Sequence, residues 1–505
     1  MTRSLHVTAS VLALSLLPVQ GWALTAQETW ENWQQQAEAS GQTMTVEGET
    51  EAGGVLTLTG MAFSSEMQDG TLSGRLEQVV MTENSDGTVT MTFSPDYDMT
   101  MAMTPEFGET VTVAMKVSQP DATVIASDAG EAVSYVFTAP TLTVEPTEIK
   151  VGDEVAPFEM TFSLTNTAGQ YSISKATPVE LVSNFTISAL SMDMKGEDPD
   201  TNANFTGGGE MKDITFISTS TNGSLFGTSD LPTMLKNGLA GTGKMTYGPS
   251  TISIDVAEAA QTFNMDLTSE GGSADFAINP DEISYEVIYD VLKVALQSSD
   301  IPIPQVDASW NSLTTNVVMP IAESEEPQPF RVKIDMDQLT LGDPVWNMFD
   351  PATVLPRTPA KLLIDLTGQG NWLMDILDPS LDPSAVPAGP PGELHALDLD
   401  ALQVNVAGAE LTGGGSFTFD NEDLQTFDGM PRPEGSANFT LVGANALLDK
   451  LVQMGLVPQD QALGVRMMSG MAFRPGEGED TLLSEIVVAP NGEVTANGNI
   501  LMPGK

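Results

Sequence analysis

Thr251-Ile252-Ser253-Ile254-Asp255-Val256 alternates residue by residue between polar side chains and branched apolar ones. An extended backbone turns successive side chains to opposite faces, so this stretch reads as a strand with one dry and one wet face. The same alternation runs through Thr88-Val89-Thr90-Met91-Thr92-Phe93 and Val111-Thr112-Val113-Ala114-Met115-Lys116-Val117. Strands of parallel sheets are covered on both faces and lose the polar half of the pattern, so the pairing is expected to be antiparallel. Asp86-Gly87, Asn222-Gly223 and Asn491-Gly492 supply the dipeptides that favour tight hairpin turns. Ile283-Ser284-Tyr285-Glu286-Val287, continuing through Tyr289 and Val291, is read as a strand on its β-branched and aromatic content.

Helices are expected only at the two ends. Thr25-Ala26-Gln27-Glu28 is a capping box, Trp30, Trp33 and Ala37 follow at helical spacing, and Gly41 is placed to end the helix. The tryptophan pair suits a carbohydrate or membrane-surface platform, but a stripe of this kind more simply docks on a sheet. At the other end, Ala444 to Met454 carries Leu447, Leu448, Leu451 and Val452, with Gly455 as a stop. Pro458 opens a second helix bearing Leu463, Arg466, Met467 and Met471, and a hairpin follows from Leu482 to Ala489 and Glu493 to Leu501. The expected fold is mainly β: a long bent antiparallel sheet or a β-sandwich-like architecture, with a short N-terminal helix and a C-terminal cap of two helices (444–472) plus a hairpin.

Phe205-Thr206-Gly207-Gly208-Gly209, Gly241-Thr242-Gly243 and Leu411-Thr412-Gly413-Gly414-Gly415 are each expected to place glycines immediately before a strand. Glycine there permits a bulge or close backbone approach in a strongly bent sheet. Proline-rich stretches at Ile301-Pro302-Ile303-Pro304, Glu325-Glu326-Pro327-Gln328-Pro329 and Asp378 to Gly392 mark loops or a boundary. They suggest a β-rich region over 24–300 and a second over 301–505.

The 505 residues include 69 acids, 19 bases, two histidines and no cysteine, for a formal net charge of -50. Such a chain repels phosphate backbones, so nucleic acid is excluded as a partner. Without cysteine there is no disulfide, thiolate metal site, cysteine nucleophile or lipid-modified cysteine. Arg3, the apolar run Val7 to Leu17 and the small-x-small pattern Gly21-Trp22-Ala23 make residues 1–23 a signal peptide. The run is too short for the ~20 residues of a membrane span. A cleaved leader places the mature chain in a bacterial periplasm or outside the cell, with no transmembrane segment.

Pro327-Gln328-Pro329-Phe330, Trp346-Asn347-Met348-Phe349-Asp350-Pro351 with Leu355-Pro356-Arg357-Thr358-Pro359-Ala360, and above all Gly455-Leu456-Val457-Pro458-Gln459-Asp460-Gln461 with Arg466-Met467-Met468 and Arg474-Pro475-Gly476 carry a family resemblance. Over most of the mature chain the sequence resembles an exported bacterial family called domain of unknown function 2125. The resemblance implies a cell-envelope protein and carries over no catalytic residue.

Several segments imitate sites. Gly238-Leu239-Ala240-Gly241-Thr242-Gly243-Lys244 fits the first seven positions of a phosphate-binding loop, but Met245 replaces the magnesium-binding hydroxyl, and a glycine-rich turn is the better reading. Asp198, Asp200, Asn202 and Asn204 have the spacing of calcium ligands, but Ala203 stands where such loops need glycine. A polar turn is again preferred. His395, the only histidine after the leader, is read as incidental. Met91, Met99, Met101, Met103, Met160 and Met265 fall on the apolar side of strands, as core filling or as an adaptable surface for apolar ligands. The functional expectation is non-enzymatic binding of lipid or another apolar molecule in a β groove, with no cofactor. Alternatives are an interaction module with a self-packed core that binds another envelope protein, and a secreted hydrolase using paired carboxylates.

Overall fold

The structure is a computed structural model that describes residues 23–67, 69–104, 108–198, 201–222, 231–259, 261–378 and 391–504. All but Ala23 of the expected leader, together with Asp200, Gly223 and most of the stretch Asp378 to Gly392, lie outside the described residues. The described helices are α1 (Ala26–Ala39), α2 (Leu231–Lys236), α3 (Asp343–Phe349), α4 (Ala444–Gln453) and α5 (Gln459–Ala472). None of them is long and apolar enough to cross a membrane. The remaining elements form one hydrogen-bonded sheet of 28 strands whose named pairings are antiparallel. The expectation of a long antiparallel sheet with helices at its ends therefore holds.

The ladder follows chain order almost throughout, but several of its rows consist of two short strands laid end to end. Val89–Phe93 and Asp96–Met103 both pair with Gly70–Glu83. Val111–Ser118 and Thr123–Asp128 both pair with Ala132–Val151. Ala240–Tyr247 and Ser250–Glu258 both pair with Asn204–Thr221. Gln261–Ser269 and Gly271–Ile278 both pair with Glu282–Ser298. About 20 interstrand spacings of roughly 4.8 Å give the sheet a contour on the order of 100 Å. Pairing continues across residue 300, where Glu282–Ser298 meets Val306–Pro320, and the stretch Ile301 to Pro304 is the loop between them.

The breaks in the split rows fall on one line that crosses the sheet, and unsplit strands carry a backbone irregularity where they cross it. Gly60 (φ 59°), Asp121 (φ 60°), Asn166 (φ 49°), Asp213 (φ 51°), Val291 (φ 47°) and Gln338 (φ 52°) lie along this line. Registers place them against one another or against neighbouring interruptions. Asn166 stands opposite Pro140, Asp213 opposite Ser188, and Val291 opposite Asn311, which in turn faces Gln338. A residue pushed out of the pleat bends its strand and shifts the alternation by one. Apolar positions accordingly change from Leu56 and Leu58 to Met61 and Phe63 across Gly60, and all four pack in one core. The same offset separates Phe162 and Leu164 from Tyr171 and Ile173 across Asn166, and Tyr285 and Val287 from Leu292, Val294 and Leu296 across Val291. The line is a crease that keeps the apolar residues on one side of a bent sheet.

The glycine clusters lie inside strands Asn204–Thr221, Ala240–Tyr247 and Ala409–Asp420, which corrects the expectation that they precede strands. At Gly243 and Gly413 the reason is a cross-strand phenylalanine, because a Cβ there would collide with the Phe276 and Phe439 rings, and Gly169 outside the clusters meets Phe185 in the same way. At Gly207, Gly208 and Gly209 a Cβ would instead press on the Met194 side chain and on the backbone oxygens of Ser253, Met192 and Thr251. The final hairpin also needs correction. Its second arm is divided into Val494–Ala496 and Asn499–Met502, which pair with each other around Asn497 (φ 51°) and Gly498 (φ 80°). Asn497-Gly498 is itself a hairpin dipeptide and folds the arm back. Neither α2 nor α3 was expected. Pro344 lies in the first turn of α3, and the buried Asp350 ends the helix and accepts hydrogen bonds from the Val354 and Leu355 amides at 2.8 and 2.9 Å.

Candidate functional site: an apolar sheet face covered at one end

α1 docks as its stripe predicts. Thr25 and Glu28 close the capping box, Trp30 is buried, and Trp33 meets Trp30 and Phe93 edge to face at 5.9 and 6.3 Å. Beneath it Leu56, Leu58, Val79 and Met81 are each 0% exposed. Further along the sheet the same face loses its cover. Met160, Met194, Gly207, Ile254, Met265 and Leu296 form one continuous cross-strand row. Beyond the crease, Phe276, Tyr285, Val317, Val332, Leu366 and Leu399 form another. Phe276 is 45% exposed, Tyr285 42% and Ile334 37%, although all three lie within the ladder and not at its edge. A ring of ~200 Å² left nearly half in water forgoes about 2 kcal/mol of burial.

A cavity of about 710 Å³ opens where the cover ends, lined by Trp33, Gln36, Val133, Tyr171, Ile173 and Leu181 among others. Tyr135 and Tyr171 stack beside it at 4.8 Å, and burial pushes both phenols above their ordinary pKa, so they stay neutral. The Gln36 amide donates to the Tyr135 hydroxyl at 3.3 Å. Lys175, also on the lining, pairs with Asp128 at 2.8 Å and holds that carboxyl below its usual range. α2 places Leu235 with Leu239 and Ile321 over a second, smaller part of the apolar face, against Ile278 and Ile283.

The opposite face is mainly polar and internally paired, with Ile125, Val136, Val182 and Ile217 exposed among its polar side chains. Its row runs Lys244, Asp275, Glu286, Asn316, Lys333 and Asp365 across successive strands. Lys244 meets Asp275 at 2.9 Å, the Asn316 amide donates to Glu286 at 3.3 Å, and Arg331 grips Asp365 through two hydrogen bonds of 3.0 and 2.8 Å. Pairs this exposed contribute little stability and serve mainly to balance charge.

The residues singled out from sequence do not converge on a reaction centre. Gly241 to Lys244 form strand, with Lys244 engaged by Asp275, so no phosphate loop opens a helix there. Asp198 and Asn202 close a turn between paired strands, Asn202 having φ 56° and donating its amide to the Asp198 carbonyl, while Asn204 begins the next strand and Asp200 lies outside the described residues. Among the described residues no group of three or more His, Asp or Glu is placed to hold a metal ion. His395 Nε2 lies 2.7 Å from Asn371 Oδ1 and 3.5 Å from Glu393, with no serine in that contact set. The methionines divide: Met91 belongs to the buried core, whereas Met99, Met101, Met160 and Met265 are half-exposed and Met103 is exposed. Sequence reasoning missed the cavity beside α1, because its walls come from α1 and strands far apart in the chain.

Residues 242–497 match a family model described as an uncharacterized protein conserved in bacteria, domain of unknown function 2125. The chain belongs to this family. Every motif that carried the resemblance lies inside the matched stretch, which holds the larger part of the open face and the C-terminal helices, and leaves out α1, the core beneath it and the strands that carry Met160, Met194 and Gly207. No curated protein matches the chain.

Proposed function

We propose that this member of the family is an exported, non-enzymatic protein of the bacterial periplasm that holds a lipid or another elongated apolar molecule against the open face of its sheet. One contrast carries the reading: the apolar face is sealed under α1, where Leu56 and Val79 are 0% exposed, and left half in water from Phe276 to Ile334. An apolar surface of this length inside a sheet, with its polar face already turned to solvent, calls for a second layer. An acyl chain supplies that layer without side-chain specificity, and half-exposed methionines adapt to it. The leader reading of residues 1–23 supports an envelope location. The alternative of a self-packed core draws support from the section under α1 and from the smaller cluster under α2.

Native mass spectrometry of the mature chain purified from its own periplasm, followed by solvent extraction and lipid analysis, tests the reading. A stoichiometric apolar passenger is expected. A bare protein mass that added lipid extract leaves unchanged would overturn it.

A further inference from the structure

α4 and α5 follow the last long strands of the ladder, and α5 behaves differently from α1. Its 14 residues include a single buried one, Ala462. Leu463, Val465, Met467, Met468 and Met471 are exposed, Met468 at 73%, and Leu456 in the preceding turn is exposed as well. At about 100° per residue these five side chains of α5 span an arc of roughly 200°, which in the first turn of the helix also holds Asp460 and Gln461. The opposite arc carries Ala462, Arg466 and Ser469, and there Arg466 reaches Asp449 and Asn445 of α4, so the contact with the rest of the protein is accounted for.

A helix that docks on a sheet or on another helix hides a stripe of about 100°. An arc twice that width is wetted in full by a fluid apolar phase, and methionine is the side chain that adapts best to one. Charge favours the same occupant. Residues 444–480, which include the Asp480 that caps α4, hold Lys450, Arg466 and Arg474 against Asp449, Asp460, Glu477, Glu479 and Asp480, a milder acidic excess than that of a chain whose net charge is -50. An anionic bilayer repels this end less than it repels the body of the protein. A second copy fits less well, because it would bring two strongly acidic bodies together.

We propose that the α4–α5 end docks on a lipid bilayer, with α5 lying in the headgroup layer, its apolar arc turned to the acyl chains and the sheet held off the surface by its own charge. The docking surface follows from α5 alone; the carrier reading of the sheet gives it a purpose, as the point where an apolar passenger would enter or leave.

The test is flotation of the mature chain with vesicles of phosphatidylethanolamine and phosphatidylglycerol, beside a variant carrying Leu463→Glu, Met467→Glu and Met468→Glu. These side chains are already in water, so the variant is expected to melt as the parent does. The parent should float, and the variant's bound fraction should fall by about tenfold or more. Three results would overturn the proposal: a parent that does not float, a variant that floats equally well, or a parent dimer that the substitutions turn into monomers. The passenger in native mass spectra reports on the sheet face separately, so a protein that floats but carries nothing would sink the carrier reading and leave the docking surface standing.

Discussion

Gly243 shows how one missing side chain shapes the apolar face. Its Cβ position is filled by the Phe276 ring, which therefore lies flat on the sheet. Gly243→Val should lift that ring and destabilise the fold by about 1–3 kcal/mol through overpacking. Gly464→Ala, inside α5 where nothing lies within 4 Å, is the control and should not lower the thermal melt, since alanine favours the helix. Asp350 makes a second prediction. Burial raises its pKa, but the amides of Val354 and Leu355 and the nearby Arg357 prevail and hold it below the ordinary value. A depressed carboxylate stabilises the fold above its unfolded-state pKa, and that stability is lost as pH falls through the folded-state pKa. Asp350→Asn should thus melt lower than the parent at neutral pH, and the gap should close in acid below the usual carboxylate range. A gap that stays constant with pH would mean the charge is not what Asp350 contributes.

At the scale of elements, the crease decides which side chains share a face. Deleting Val291 while the neighbouring strands keep the crease would slip every later residue of Glu282–Ser298 back one position, sending Val294 and Leu296 to the polar side and Lys293 to the apolar one. The deletion should yield a protein that melts early and is cleaved rapidly in limited proteolysis, whereas Val291→Gly, which suits φ 47°, should fold. The crease also explains what could be read from the sequence. Thr25, Glu28, Trp30 and the α4–α5 pattern were legible because capping and helical stripes are local. Short alternating runs such as Thr251 to Val256 were legible because each lies wholly on one side of the crease. The crease itself was not, since a phase shift at Asn166 or Asp213 looks like a broken pattern until the neighbouring strands are aligned. The glycine clusters were misread for the same reason: Phe276 and Gly243 meet only through register. Asn497-Gly498 was the exception, a local turn signal that was present and passed over.

Across the whole molecule, opposing surfaces divide the work. The polar face carries paired charges such as Arg331 with Asp365, and the acidic excess keeps the protein dispersed. The apolar face is finished at the α1 end and unfinished beyond it. That the face would be dry was legible in the alternation; that it would lack a covering layer was not, because cover is a property of the assembled sheet. The central claim is that this layer is an apolar ligand. The most direct test places a photoreactive p-benzoylphenylalanine at Tyr285 on the apolar face, or at Glu286 one residue away on the polar face, irradiates cells producing the protein, and reads the mass of each product. The account predicts a lipid-sized adduct at position 285 and none at 286. No adduct at 285, or equal adducts at both, would contradict it.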